Sequence, residues 1–149
     1  MNKFMQEAIA EAKKASAKNE VPVGAVIVKD GEIFARAHNL CEQNQNPTHH
    51  AEMLAINGAL NALNTKNLKG CELYVTLEPC AMCIGACALC KIDKVYFGAY
   101  DTKSGACGGK CDVLREGCYD YKTEIYGGID ETDCKKILTD FFAGLREEK

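Results

Sequence analysis

A long apolar run is missing from the start of this chain: Met1-Asn2-Lys3-Phe4-Met5-Gln6-Glu7 leads directly into a charged, alanine-rich stretch. Neither a secretory signal nor a membrane span is expected, and a cytoplasmic location follows. Internal repeats, low-complexity tracts and linkers are lacking as well, so a single domain over residues 1–149 is expected. Its size suffices, because a chain of about 150 residues hides roughly 68 to 70% of its unfolded surface. The 47% apolar content leaves no deficit of the kind that accompanies disorder. A basic excess is also absent. With 18 Lys and Arg against 21 Asp and Glu, the net charge of −3 does not favour a polyanionic partner, since phosphate neutralisation leaves a positive footprint. Locally the balance differs: Lys103, Lys110, Arg115, Lys122, Lys135, Lys136, Arg146 and Lys149 crowd the C-terminal third. Asp130, Glu131, Asp133, Asp140, Glu147 and Glu148 intervene, so a solvated mixed-charge surface competes with a nucleic-acid contact.

Cysteine, in contrast, is abundant, with ten residues. A secreted, disulfide-stapled fold is disfavoured by the missing signal and the ample core, so Cys41, Cys71, Cys118 and Cys134 read as reduced small thiols. One cluster reads differently. A CxxC pair is weak evidence, because ten cysteines in 149 residues produce about 0.6 such pairs by chance. Cys87 and Cys90 form a second pair at once. Proline directly before the first cysteine, in Pro79-Cys80-Ala81-Met82-Cys83, and the upstream His50-Ala51-Glu52 lower the chance expectation to about a few in a thousand.

The donor chemistry explains why the combination matters. A structural zinc closes its sphere with four protein ligands, whereas a catalytic zinc takes three and leaves the fourth position to water. His50, Cys80 and Cys83 supply three. Pro79 is expected at the first helical position, which puts Cys80 and Cys83 in an opening turn, on one face and at the positive end of the helix dipole. Positive potential there favours thiolates. The apolar pattern Ala51, Met53, Leu54, Ala55, Ile56, Ala59, Leu60 and Leu63 predicts a second helix whose first turn holds His50 and Glu52. Two helical residues on, Glu52 points about 200° away from His50 and is expected to stay off the metal. It is then free to handle the proton of a zinc-activated water.

Cys80, Cys83, Cys87 and Cys90 line one helical stripe that mimics an iron–sulfur pattern. Ten residues of helix span about 15 Å, too far for four thiolates on one small centre, so Cys87 and Cys90 are expected in the core. Cys107 and Cys111, in a glycine-rich loop, are a second candidate metal or redox pair. His38 lacks motif support as a ligand, and His49 is expected at the surface or behind His50.

Along the chain the pattern predicts a helix near 3–18, strands 23–28 and 32–37 around an Asp30-Gly31 turn, and the His50–Glu52 helix over 50–63. Strand 71–77, helix 80–90 and strand 93–98 form a βαβ unit, hence a parallel pair with a right-handed crossover. A strand near 123–126 and a helix over 131–146 complete a three-layer α/β/α sandwich around a mixed sheet of about five strands.

HxE with PCxxC is the signature of zinc nucleobase deaminases. The segments 21–28, 35–39, 46–52, 73–80 and 95–101, with Phe141-Phe142 near the end, resemble the bacterial tRNA-specific adenosine deaminases of the cytidine deaminase superfamily. Cys107 and Cys111, Cys90-Lys91 and Tyr119-Asp120-Tyr121 depart from that family's usual residues. The resemblance implies a cytidine-deaminase-like fold, one Zn²⁺ per subunit, a homodimer, and hydrolytic conversion of adenosine to inosine at the wobble position of a tRNA anticodon stem-loop. It assigns the proton shuttle to Glu52 and substrate contacts to Asn39, Val21, Ala51, Leu77, Pro79, Asp101, Ser104 and Phe142. Asn39 as a turn cap, Asp101 as a helix cap and Leu77 as core are the structural alternatives. Of Phe141 and Phe142, at least one is expected in the core and the other at the pocket or on a base. The alternatives to the tRNA reading are a zinc deaminase of a free base or nucleoside, of guanine or cytosine type, and a non-catalytic zinc or redox module.

Overall fold

The computed structural model describes residues 1–147, with side chains through Leu145. The elements are α1 (Lys3–Ala17), β1 (Gly24–Lys29), β2 (Glu32–His38), α2 (Ala51–Leu63), β3 (Cys71–Leu77), α3 (Ala81–Leu89), β4 (Lys94–Ala99), β5 (Glu124–Tyr126) and α4 (Glu131–Glu147). Five strands form one sheet in the order β2-β1-β3-β4-β5. β1 runs antiparallel to both β2 and β3, whereas β3, β4 and β5 are parallel. The mixed sheet expected from the sequence is thus observed.

Strand alternation explains the layering. Ala25 and Ile27 of β1 join Leu73 and Val75 of β3 in a core with Ala55 and Ile56 of α2 and Ile84 of α3. Val26 and Val28 point the other way, into a second core with Met5, Ala8 and Ile9 of α1, Tyr74, and Cys134 of α4. Successive strand residues face opposite sides, so a central strand covered on both faces must be apolar throughout. The turn between β1 and β2 has positive φ at both Asp30 (51°) and Gly31 (79°). That is the type I′ pattern matching strand twist, as Asp-Gly predicts.

The helix starts bearing on the site come later than expected, by two residues after Pro79 and by one at His50. Pro79 does not open α3: Cys80 is its N-cap, extended at φ −76° and ψ 176°. Glu78 N–H still donates to the Ala99 carbonyl at 2.8 Å, which carries the extended chain of β3 beyond Leu77 and delays the helix. His50 likewise caps α2 rather than entering its first turn, again extended, at φ −68° and ψ 153°.

Candidate active site

Neither His50 nor Cys80 uses its side chain to cap its own helix. Both side chains therefore face the gap between the N-termini of α2 and α3, beyond the carboxyl end of β3. Open α/β sheets bind ligands at such strand ends. Cys83, the third residue of α3 and fully buried, completes the group. His50 Nδ1 lies 3.6 Å from Cys80 Sγ and 3.5 Å from Cys83 Sγ. Around one zinc with bonds of about 2.0 to 2.1 Å to nitrogen and about 2.3 Å to sulfur, tetrahedral angles require an N···S separation of about 3.6 Å. The donor atoms already have the spacing of a zinc site. Among the described residues this is the one such group of three or more His, Cys, Asp or Glu side chains.

The proton affinities of the group diverge. Cys80 falls to about 4, chiefly through hydrogen bonding to Cys83, with His50 assisting against the effect of burial. Cys83 moves far upward, because it gives its hydrogen to Cys80 and is buried. His50 also rises, held protonated by Cys80 more strongly than burial opposes.

Glu52 lies outside the ligand group, yet only 4% of it is exposed. Burial raises its pKa to about 7, and the charge of His50 offsets only part of this. A carboxyl group near neutrality, beside a metal site and open to a cavity, can both accept and return a proton at working pH.

That cavity, about 740 Å³, is lined by His50, Glu52 and Cys80 together with Val21, Asn39, Leu77, Asp101, Ser104 and Phe142. Six of the expected substrate-contact residues therefore share it with the metal group. Ala51 and Pro79 do not line it: both are buried, and their backbones are engaged. Ala51 N–H donates to Asn39 Oδ1 at 3.0 Å, and the Pro79 carbonyl accepts from Ala106 N–H at 2.8 Å. Asn39 thus caps the first turn of α2 from the end of β2. Because an N–H must meet an oxygen, this bond orients the amide and turns Nδ2 to the remaining space. Asp101 is a turn cap too, its Oδ1 accepting from Lys103 N–H (3.0 Å) and Ser104 N–H (3.1 Å).

The expectation that one of Phe141 and Phe142 belongs to the core is not met. Both line the cavity mouth, in edge-to-face contact at 5.3 Å, and Phe142 is 44% exposed. α4 packs into the second core through Cys134, Ile137 and Leu138, whereas Phe141, Phe142 and Leu145 of its later turns line the cavity.

Two cavity residues escaped motif reasoning. Glu20, 1% exposed, accepts from Glu42 N–H (3.0 Å) and Gln43 N–H (2.7 Å), holding one wall. Glu78, 2% exposed, does the same for the opposite wall through three backbone N–H groups. A carboxylate at the junction of an apolar strand and helix was the available signal, since a buried charge must find donors.

The remaining cysteines and histidines have structural surroundings. Cys87 is fully buried in the core, and Cys90 packs against it half-buried. Cys107 and Cys111 gather no third ligand among the described residues. His38 bonds Glu11 (3.0 Å) and Lys18 (3.1 Å), while His49 contacts Asn44 and Asn46. Lys149, one of the C-terminal basic residues, lies outside the described residues, as does the Arg146 side chain.

Residues 1–99 match the model of the cytidine and deoxycytidylate deaminase zinc-binding region. The chain belongs to this deaminase family. The deaminase is 51% identical to a tRNA-specific adenosine deaminase of Bacillus subtilis, over 98% of this chain and 91% of that protein. Its fold matches, at TM-score 0.86 and 38% identity, a structure from studies of A-to-I editing by tRNA deaminases at the wobble position, covering 91% of this chain and 99% of that one. A guanine deaminase of Bacillus subtilis matches at TM-score 0.65 and 36% identity, over 80% of this chain and 73% of that one. Zinc is the metal of this deaminase domain, and the Cys₂His donor set and spacing fit it.

Proposed function

We propose that this deaminase converts adenosine to inosine at the wobble position of a tRNA anticodon loop, with His50, Cys80 and Cys83 holding one zinc and Glu52 moving the proton. The observation that carries this reading is Glu52, buried beside the ligand group but outside it, with a pKa of about 7. When bound, zinc supplies Lewis acidity that brings a coordinated water within reach of deprotonation near neutral pH. Glu52 accepts that proton, delivers it to N1 of adenine, and assists the departing amine as oxygen replaces nitrogen at C6. Water and adenosine thus become inosine and ammonia.

The cavity residues suit a base turned out of a loop, where extraction costs less than from a duplex. Val21 and Leu77 offer apolar surface to the purine. Asn39 Nδ2 can donate to a ring acceptor, because its oxygen is occupied by Ala51 N–H. Ala51 and Pro79 act behind the cavity lining, Ala51 by holding the Asn39 amide and Pro79 by holding the loop at Ala106, and Asp101 and Ser104 meet the sugar or flanking nucleotides. Glu20 and Glu78 direct their charge at backbone N–H groups, which lessens the acidity of the walls toward phosphate.

Asn39→Ala is expected to lower kcat/KM by about 10- to 100-fold, the loss of one hydrogen bond to the base. Stability should fall by only about 1 kcal/mol, the usual cost of a lost helix cap. Kinetics and thermal unfolding of one preparation check both. Phe142→Ala should raise KM for an anticodon stem-loop by about tenfold, the lower part of the range for a stacked base. An unchanged KM would remove Phe142 from the binding surface.

The decisive experiment incubates the zinc-loaded protein with an anticodon stem-loop and, separately, with free guanine and cytosine. Inosine at the wobble position is expected. Ammonia from a free base without inosine would instead favour the base-deaminase reading suggested by the guanine deaminase likeness, and zinc without ammonia from any substrate would favour a non-catalytic module. The tRNA substrate points to the cytoplasm, and no described helix is long and apolar enough to cross a membrane. The proposed assembly is a homodimer, for which Leu89 of α3, 70% exposed, offers apolar contact surface. Sedimentation velocity tests the assembly.

A further inference from the structure

We propose that Glu78 is a positioning residue whose buried carboxylate fixes the Asp101–Gly109 loop against the metal-bearing Pro79–Cys83 segment and so sets the cavity wall carrying Asp101 and Ser104. Its effect on substrate rests on the reading that Asp101 and Ser104 face the RNA.

Glu78 Oε1 accepts from Asp101 N–H at 2.9 Å, and Oε2 accepts from Cys107 N–H at 3.0 Å and Gly109 N–H at 2.8 Å. No cationic side chain pairs with it among the described residues. Three oriented amide dipoles therefore balance its charge, an arrangement that stabilises a buried anion only while all three remain in place. The loop is shaped to reach it. A Cβ on Gly105 would lie 2.3 Å from the Glu78 carboxyl carbon, and one on Gly109 would lie 2.6 Å from Oε1. A larger residue at either position would push the loop off the carboxylate.

From this anchor a chain of contacts runs to the cavity. Asp101, fixed through its N–H, accepts from Lys103 and Ser104 N–H with its side chain and from Gly105 N–H (2.9 Å) with its carbonyl. Asp101 and Ser104 line the cavity. A second tie, Ala106 N–H to the Pro79 carbonyl at 2.8 Å, binds the same loop immediately before the ligand Cys80. Glu78 thereby registers the substrate wall against the metal wall, with both carboxylate oxygens spent on loop N–H groups.

Glu78→Gln separates the two oxygens chemically. An amide has one acceptor oxygen, which satisfies more donors by facing Cys107 and Gly109, and its NH₂ then confronts the Asp101 N–H. The test measures amide hydrogen exchange by NMR on the zinc-loaded protein, with steady-state kinetics on an anticodon stem-loop. In E78Q, Asp101 should exchange at least about tenfold faster while Cys107 and Gly109 stay within about threefold. Zinc should remain at about one per chain, and KM should rise about tenfold with kcat within about threefold.

Unchanged Asp101 exchange, or a loss confined to kcat, overturns the proposal. Should E78Q fail to fold, Gly105→Ala displaces the same loop and must reproduce the faster Asp101 exchange and the KM rise. If wild-type protein forms no inosine on the stem-loop, the functional reading fails, and the exchange pattern alone still decides whether Glu78 is the clamp.

Discussion

Glu52→Gln is expected to reduce kcat by about 10³-fold, within the range of about 10² to 10⁴ that a positioned general acid–base supplies, while zinc stays bound at one per chain. Glutamine preserves the volume and a polar contact but cannot carry the proton from water to base. KM should change little, because Glu52 acts on the reacting atoms rather than on remote contacts. The stability effect has the opposite sign from that of most buried substitutions. A carboxyl whose folded pKa is raised from 4.5 to about 7 costs stability as pH rises through that interval, because the unfolded chain then releases a proton that the folded chain retains. At pH 7.5 the neutral glutamine is free of this cost, so in the metal-free state, to which this pKa belongs, the variant should melt at the same temperature as the wild type or higher. Inosine formation, metal analysis and calorimetry test the three statements. Retention of more than about a tenth of the activity would remove Glu52 from the proton path.

Cys83→Ala should abolish both metal and turnover. Cys83 is fully buried and supplies one of the three donors spaced for zinc, and the remaining imidazole and thiol leave the ion with half of a tetrahedral sphere. Zinc per chain should fall below about one tenth after dialysis, with activity down at least about 10³-fold. A melting temperature that rises with added zinc in the wild type should become indifferent to zinc in the variant. The same donors predict the pH dependence of loading. Cys83 and His50 hold their protons more tightly than usual, and a ligand must surrender its proton to bind. Zinc affinity should therefore rise with pH and weaken on acidification, which a chelator competition series measures. Full zinc occupancy in Cys83→Ala would contradict the ligand set.

Much of this was legible in residue order. The order of apolar runs and turns located all five strands, and the Asp30-Gly31 turn was specified by its own chemistry. His50, Cys80, Cys83 and Glu52 could be grouped because metal chemistry restricts donor types and spacing more tightly than packing restricts hydrophobic ones. Pro79 misled by two residues, since a proline suits an extended segment before a cap as well as the first helical turn, and the Glu78–Ala99 pairing decides between them. Phe141 and Phe142 misled because helical periodicity says which faces coincide but not where along a helix its partner changes from core to cavity. Glu20 and Glu78 stayed hidden because each answers to backbone N–H groups of a loop more than twenty residues later, and backbone donors leave no trace in side-chain identity.

The metal group and Glu52 lie within the first hundred residues, whereas Asp101, Ser104, Phe141 and Phe142 follow them. On the proposed reading, the reacting groups and the base-facing Val21, Asn39 and Leu77 share the first stretch of the chain, and the groups facing the flanking nucleotides occupy the second. A descendant that exchanged its tail for another would keep the bond-breaking apparatus and the seat of the base while meeting different neighbours of that base.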